Sequence, residues 1–119
     1  MSLITSVLAS VVALEHLYIL YLETFATQSD ATSRVFGMEK EELQRPSVSA
    51  LFKNQGVYNG LLALFLFYGI VTGNREIVTI FVLFVIGAAS YGAVSSSPKI
   101  LLTQGGPAIL TFISLLLFK

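Results

Sequence analysis

The chain lacks several residue types, and each absence narrows what the protein can do. It contains no cysteine, which excludes a disulfide framework, a thiolate zinc site and a cysteine nucleophile. Its single histidine excludes a multi-histidine metal centre within one chain. Charged residues make up only 12% of the 119 residues, against about 25% in soluble domains. The net charge is zero, so the composition does not indicate nucleic-acid binding.

Apolar residues take the place of the missing charge: 55% of the chain is hydrophobic, in four segments. Each segment approaches the ~20 residues that a helix needs to cross a bilayer. Globular helices are amphipathic, so four nearly uniform apolar segments favour an all-α integral membrane four-helix bundle over a buried soluble bundle. Glu15 and His16 interrupt the first segment and no Lys or Arg precedes it, so we interpret it as a retained helix and not as a signal peptide. The predicted spans are residues 3–25, 55–72, 77–94 and 100–118, in a single membrane domain of residues 1–119.

The connection between the first two spans, residues 26–54, is long and polar, whereas the other two connections are short. Short connections make the second, third and fourth spans antiparallel neighbours. Apolar anchors and a predicted helical turn over Met38–Gln44 indicate an interfacial segment that lies on the bundle. A solvated connector is the alternative. Pro46 and Ser47 are suited to begin a further helix that runs into the second span.

The distribution of lysine and arginine predicts an orientation. The side that holds residues 26–54 carries more of these residues than the opposite side. The positive-inside rule therefore places residues 26–54 in the cytoplasm and both termini outside.

Three ionisable residues, Glu15, His16 and Glu23, lie inside the first apolar segment. A charge at the centre of a spanning helix costs roughly 2.5–3.5 kcal/mol even on lenient insertion scales, so a partner, a water-filled cavity or a function must offset it. On a helical wheel His16 and Glu23 share one face, about 10 Å apart along the axis. Glu15 lies at the edge of that face, and we expect it to be a neutral, packed acid.

The second span begins with a polar run, and Asn54, Gln55, Tyr58 and Asn59 share one broad face of it. Lipid would leave their donors and acceptors unpaired, so we expect these side chains to face the bundle interior. The two glycines of the Gly56–Gly60 run form a GxxxG step on the adjacent face, where small residues let another helix approach closely.

The antiparallel topology places polar residues of all four spans at matching depth near residues 26–54, with His16 deeper. We therefore predict a polar pocket that tapers toward His16. A hydrogen-bond network that only locks the helices together is the alternative. No metal and no cofactor is expected, since one histidine and two separated acids make a poor ligand set. The predicted ligand-binding residues are His16, Glu23, Asn54, Gln55, Tyr58, Asn59, Tyr91 and Gln104, with Glu15 accessory and no catalytic residue assigned.

Five stretches spread from end to end carry a further signal: residues 13–23, 35–37, 54–60, 91–93 and 99–108. The run Asn-Gln-Gly-Val-Tyr-Asn-Gly at residues 54–60 is the specific one. In these stretches the chain resembles the small bacterial membrane proteins grouped as domain of unknown function 1304. The resemblance implies four membrane spans and a bacterial cell membrane as the location, and it brings no activity. The pair Gly105-Gly106 departs from the Gly-apolar pair expected there.

Three functions remain open. The first is binding or transport of a small molecule or ion, in a homo-oligomer because four short helices alone make a narrow pathway. The second is a membrane-embedded enzyme on a lipid-like substrate, with His16 and Glu23 or Glu15 as acid and base and Tyr58 or Tyr91 binding a hydroxyl. The third is a structural or partner-binding protein in the lipid bilayer, whose polar groups only specify packing.

Overall fold

The computed structural model describes residues 1–95 and 102–118, and within these residues the chain is helical and contains no strand. The all-α class predicted from the sequence is confirmed for this part of the chain. Two of its helices are long and apolar enough to cross a membrane, Leu3–Phe25 with 23 residues and Arg75–Ser95 with 21. The elements are α1 (Leu3–Leu20), a π-helical turn (Tyr21–Phe25), α2 (Asp30–Phe36), α3 (Lys40–Leu43), α4 (Pro46–Val71), α5 (Arg75–Ser95) and α6 (Gly106–Leu117).

Two short helices occupy the polar connection that follows the first span. The predicted helical turn over Met38–Gln44 is present as α3. Helix α2 was not predicted, although its ends are marked in the sequence. Ser29 caps its N-terminus by accepting a hydrogen bond from the Thr32 N–H at 3.2 Å. Gly37 ends it in the left-handed conformation with φ 64°, which glycine adopts without a steric penalty.

Helix α4 begins at Pro46, as the sequence predicts, and continues without interruption for 26 residues to Val71. The second apolar segment therefore starts inside a helix of about 39 Å, and residues 46–54 belong to that helix and not to a loop. Proline is tolerated in a first helical turn because its missing N–H would have no intrahelical partner there.

A tight turn joins α4 to α5. Gly73 adopts φ 65°, and its N–H donates to the Ile70 carbonyl at 3.1 Å. Asn74 then caps α5, because its Oδ1 accepts a hydrogen bond from the Ile77 N–H at 3.1 Å. Gly69 lets the two helices approach, since an added Cβ would lie only 2.7 Å from Ile77 Cγ2.

The last apolar helix, α6, has 12 residues and is about 18 Å long, less than the ~30 Å of bilayer hydrocarbon. The predicted connection at residues 96–99 and the predicted start of the fourth span at Ile100 lie outside the described residues.

The chain divides into two compact units. The first comprises Met1–Glu15 and the residues from Ala63 onward, and the second comprises His16–Leu62. In the first unit α5 packs against α6. The α5 face that is buried carries Val78, Val82, Val85 and Ala89, at the three- and four-residue spacing of one helix face.

A chain of hydroxyl groups joins α1 to α6 inside the first unit. Ser2 Oγ donates to Thr5 Oγ1 at 2.8 Å, Thr5 Oγ1 shares a hydrogen bond with Ser114 Oγ at 2.7 Å, and Ser114 donates to the Thr111 carbonyl at 2.8 Å. Because the Ser114 proton is used on Thr111, Thr5 is the donor to Ser114. Thr5, Thr111 and Ser114 are buried, and this hydroxyl chain is neutral and satisfied.

Arg75, the first residue of α5, fastens the end of α6. Its Nη2 donates to the Leu115 carbonyl at 2.6 Å, and its Nη1 donates to the Phe118 carbonyl at 3.0 Å. The last carbonyls of a helix have no intrahelical donor, and a cation near them interacts favourably with the helix dipole.

Candidate functional site

The candidate site is built on the π-helical turn at the end of the first long helix. The Ala26 N–H donates to the Tyr21 carbonyl at 2.9 Å, five residues earlier, where an α-helix would use the Leu22 carbonyl. The Leu22 carbonyl instead accepts a hydrogen bond from Thr32 Oγ1 at 3.0 Å. Turns of this kind are rare and occur frequently at functional sites.

Two more threonines hold the turn. Thr27 Oγ1 donates to the Glu23 carbonyl at 2.7 Å. Thr24 Oγ1 donates across to α4, to the Lys53 carbonyl at 3.0 Å. The backbone around Glu23 is therefore fixed by side-chain hydroxyls as well as by helical hydrogen bonds.

The glycines of the GxxxG step bring α4 against this turn. A Cβ added at Gly56 would overlap Thr24 Oγ1, and one added at Gly60 would lie 2.9 Å from Leu20 Cδ2. The interpretation of GxxxG as a close-packing seam is thus confirmed. Its partner is the end of the first long helix.

On this seam Glu23 meets Asn59. Asn59 Nδ2 donates to Glu23 Oε1 at 2.7 Å and to the Gln55 carbonyl at 3.1 Å. Glu23 is only 7% exposed, and Asn59 is half-buried. Both amide protons of Asn59 are used in these two bonds, so Glu23 Oε2 and Asn59 Oδ1 remain as acceptors. We call these two residues the Glu23–Asn59 pair.

His16 belongs to the same unit, two helical turns before Glu23, and is 6% exposed. Its side chain has an interaction partner. Glu15 is half-buried and falls in the other unit. Among the described residues its Oε1 is buried without a hydrogen-bond partner.

Three predicted site residues on α4 do not face the interior of the chain. Asn54, Gln55 and Tyr58 are exposed, Tyr58 by 64%, and their part in a ligand site stays a prediction. Gly56 and Gly60 determine which face of α4 makes the contact. At 100° per residue, Asn54 and Tyr58 lie on roughly the opposite side of the helix. Gln55 contributes its backbone carbonyl.

The remaining two predicted residues belong to the first unit. Tyr91 on α5 is 74% exposed, and Gln104 is half-buried in the turn before α6. Of the predicted set, the structure joins Glu23 and Asn59 directly, and the larger pocket stays a prediction. The described residues contain no group of three or more histidine, aspartate and glutamate side chains that could hold a metal.

Sequence reasoning missed the threonines that support the turn. One signal was available: Ser29 followed three residues later by Thr32 is a capping pattern, and Gly37 closes the helix. That pattern would have predicted a helix over Asp30–Phe36. No comparable signal marks the π-helical turn itself.

Outside the apolar helices, Asp30 of α2 pairs with Lys40 of α3 at 2.9 Å. The hydrogen bond and the charge of Lys40 lower the pKa of Asp30 from its ordinary value of 3.8. Rings of Phe36 and Phe52 meet edge to face with centroids 5.2 Å apart, which fastens α2 to the start of α4.

Comparisons with known proteins extend over nearly the whole chain. The sequence model of a family described as "Protein of unknown function (DUF1304)" matches residues 10–116. The chain is similar to the "Uncharacterized protein YpaA" of Lactococcus lactis subsp. lactis (strain IL1403), with 55% identity over 116 residues, 96% of this chain and 98% of the relative. No solved structure matches significantly.

Proposed function

The chain belongs to the DUF1304 family of unknown function, and from that premise we propose that it is an integral membrane protein whose Glu23–Asn59 pair binds a small cation. The cation is a protonated amine or an alkali metal ion, and binding either serves transport or is the function itself. The observation that carries the proposal is a buried carboxyl group whose hydrogen-bond partner is a neutral amide.

The surface of the protein supports insertion in a membrane. Large apolar side chains are exposed along the long helices, among them Leu14 at 57%, Leu64 at 59% and Phe84 at 62%. Soluble monomers rarely expose contiguous apolar surface on this scale. We propose that the apolar part of α4 and the segment that ends in α6 also cross, which gives four spans. Residues 26–54 would face the cytoplasm by the positive-inside rule.

The charge balance around Glu23 supports a cationic ligand. Within the described part of the chain the lysine and arginine ion pairs are Lys40 with Asp30 and Arg45 with Glu42, so none involves Glu23. A buried carboxylate without a counter-charge is costly, and a bound cation would supply that charge.

The hydrogen-bond inventory of the pair points to the same ligand. When Glu23 is ionised, the atoms left after the Asn59 bonds are made, Glu23 Oε2 and Asn59 Oδ1, accept hydrogen bonds and donate none. Oxygen acceptors suit an ammonium group or a hard metal cation, and they disfavour an anion. His16, buried on the same helix, lies on the deeper side of the pair and would accept or pass on a proton.

Titration of the purified protein in lipid nanodiscs with methylammonium, Na⁺ and K⁺ tests the proposal. Loss of the Glu23 charge in Glu23→Gln should weaken binding of the preferred cation by about tenfold or more, because hydrogen bonds to charged groups contribute about 1.5–3 kcal/mol. Glu76→Gln makes the same chemical change at an exposed position of α5 and should leave affinity unchanged. Equal affinities for wild type and Glu23→Gln would contradict the proposal.

The variant Glu15→Gln tests which of the two acids of the first long helix, Glu15 or Glu23, binds the cation. Glu15 Oε1 is buried without a partner, so Glu15→Gln removes a buried charge and should raise the thermal stability. The variant should bind the cation like wild type. A loss of affinity as large as that of Glu23→Gln would move the site toward Glu15.

A structural role is the second candidate, and the glycine seam favours it, because Gly56 and Gly60 serve close helix packing. It predicts that none of the three cations raises the melting temperature of the wild-type protein. Under this alternative Glu23→Gln alters stability alone.

A further inference from the structure

Helix α2 is attached to the π-helical turn through one buried side chain, Thr32. We propose that Thr32 is a positioning residue for the Glu23–Asn59 pair, and that α2 is a strap which holds the turn in its π-helical register. This inference rests on the proposed function, since it concerns the presentation of the same carboxyl group to its ligand.

Thr32 reaches the Leu22 carbonyl, which the π-helical register leaves available, and the Ala26 carbonyl, which also accepts the Ser29 N–H at 3.1 Å. Its Oγ1 lies 3.0 Å from the Leu22 oxygen and 2.7 Å from the Ala26 oxygen, so one hydroxyl proton serves both. The Leu22 carbonyl is the one that the Ala26 N–H would occupy in an α-helix. Thr32 therefore stabilises the π-helical register specifically.

The Thr32 hydroxyl is itself held in place. Ser29 Oγ donates to Thr32 Oγ1 at 3.1 Å and accepts the Thr32 N–H at 3.2 Å, within the N-terminal cap of α2. Thr32 is fully buried. The position of this oxygen is thus determined by the fold of α2, and movement of α2 would remove it from the turn.

The register matters to the site because Glu23 lies inside the turn. A return to α-helical geometry changes the rotation of the residues around Glu23 by up to about 100°, the step of one residue. That rotation takes the carboxyl group away from Asn59, which lies on a separate helix. Loss of the Thr32 hydroxyl should therefore act on binding through Glu23.

A pair of conservative variants tests the inference with the cation that wild type binds best among methylammonium, Na⁺ and K⁺. Thr32→Val keeps the shape and removes the hydroxyl, and it should weaken binding about tenfold, as loss of a supporting hydrogen bond typically does. Thr32→Ser keeps the hydroxyl and should restore the affinity. The hydrogen-exchange rate of the Ala26 amide should also differ from wild type in Thr32→Val and return to the wild-type value in Thr32→Ser.

Thr5→Val is the matched control, because Thr5 is equally buried and hydrogen-bonded but lies in the first unit. It should lower the melting temperature and leave the affinity unchanged. If Thr32→Val does not fold, Ser29→Ala, which removes the support of the Thr32 hydroxyl, should weaken binding to a lesser degree.

Three results would overturn the inference: wild-type affinity in folded Thr32→Val, failure of Thr32→Ser to restore affinity, or an equal loss of affinity in Thr5→Val. If Glu23→Gln has lost binding, each of these results contradicts the role of Thr32 and leaves the proposed function intact. Unchanged binding in Glu23→Gln would instead remove the proposed function.

Discussion

Each unit contains a close side-chain to side-chain contact between the first long helix and a later helix, and these two contacts differ in kind. In the first unit Thr5 and Ser114 are both hydroxyls and both buried, and their protons and acceptors are used within the Ser2–Thr111 hydroxyl chain. In the second unit Glu23 meets Asn59, and both amide protons are spent while acceptor oxygens remain.

The difference distinguishes a contact that fixes helix packing from one that we propose binds a ligand. A neutral, satisfied hydroxyl contact can only hold helices together, and interhelical bonds of this type contribute about 0.6 kcal/mol on average in a membrane. A buried carboxyl with a neutral partner holds helices at a cost, and the cation of the proposed function would offset that cost when bound. Variants in the first unit should therefore change stability, and variants around Glu23 should change affinity.

The largest effect is expected for Gly56→Leu, which removes the close approach of α4 to Thr24. Over-packing at a helix contact costs about 1–3 kcal/mol or more, so both stability in detergent unfolding and cation affinity should fall. Gly87→Leu is the control, because nothing lies within 4 Å of a Cβ at Gly87. A stable, binding-competent Gly56→Leu protein would show that the seam is not needed.

Arg75→Gln should come next. It removes the charge and the two hydrogen bonds to Leu115 and Phe118, and stability should fall by about 1–2 kcal/mol. Arg75→Lys keeps the charge and should recover part of the loss. Cation affinity, measured in the same samples, should not change, and a parallel loss of affinity would contradict the separation of roles.

A smaller effect is expected from the Thr5 and Ser114 contact. The cycle of Thr5→Val, Ser114→Ala and the double variant should give a coupling of about 0.6 kcal/mol in unfolding free energy. No coupling would mean that the hydroxyl chain adds nothing to stability.

The smallest effect is expected from Asp30→Asn, since the Asp30 side chain is 74% exposed. Lys40 lowers the pKa of Asp30 below 3.8 in the folded protein, so the pair stabilises above that value and the contribution is lost as the pH falls through the lowered pKa. Wild type should melt slightly above Asp30→Asn at pH 7, and the difference should vanish by pH 2 or in high salt. A difference in melting temperature that grows at low pH would contradict the predicted sign of the pH dependence.

Several parts of the architecture follow from simple sequence rules. Pro46 marks the start of α4 because proline fits a first helical turn, and Gly56 and Gly60 mark the contact face because they lack side chains. Counting along antiparallel helices also places Glu23 and Asn59 at the same end of the first two spans, and the structure joins them.

Other parts needed the three-dimensional contacts. The rule that polar groups avoid lipid placed Asn54 and Tyr58 inside, but the glycine face determines the rotation of α4 and leaves them exposed. The π-helical turn depends on Thr32, ten residues after the carbonyl that it satisfies. The sequence of the first long helix alone therefore does not predict the π-helical turn.

The π-helical turn has a consequence for the length of the chain. Such a turn is equivalent to one residue inserted into an α-helix, so its five residues advance the helix about as far as four ordinary ones. Deletion of one residue within Tyr21–Phe25 could therefore be absorbed without shortening the helix, by conversion of the turn to α-helix. We therefore expect the first long helix to accommodate two lengths, of which the longer is the one that holds the Glu23 side chain beside Asn59 in the structure.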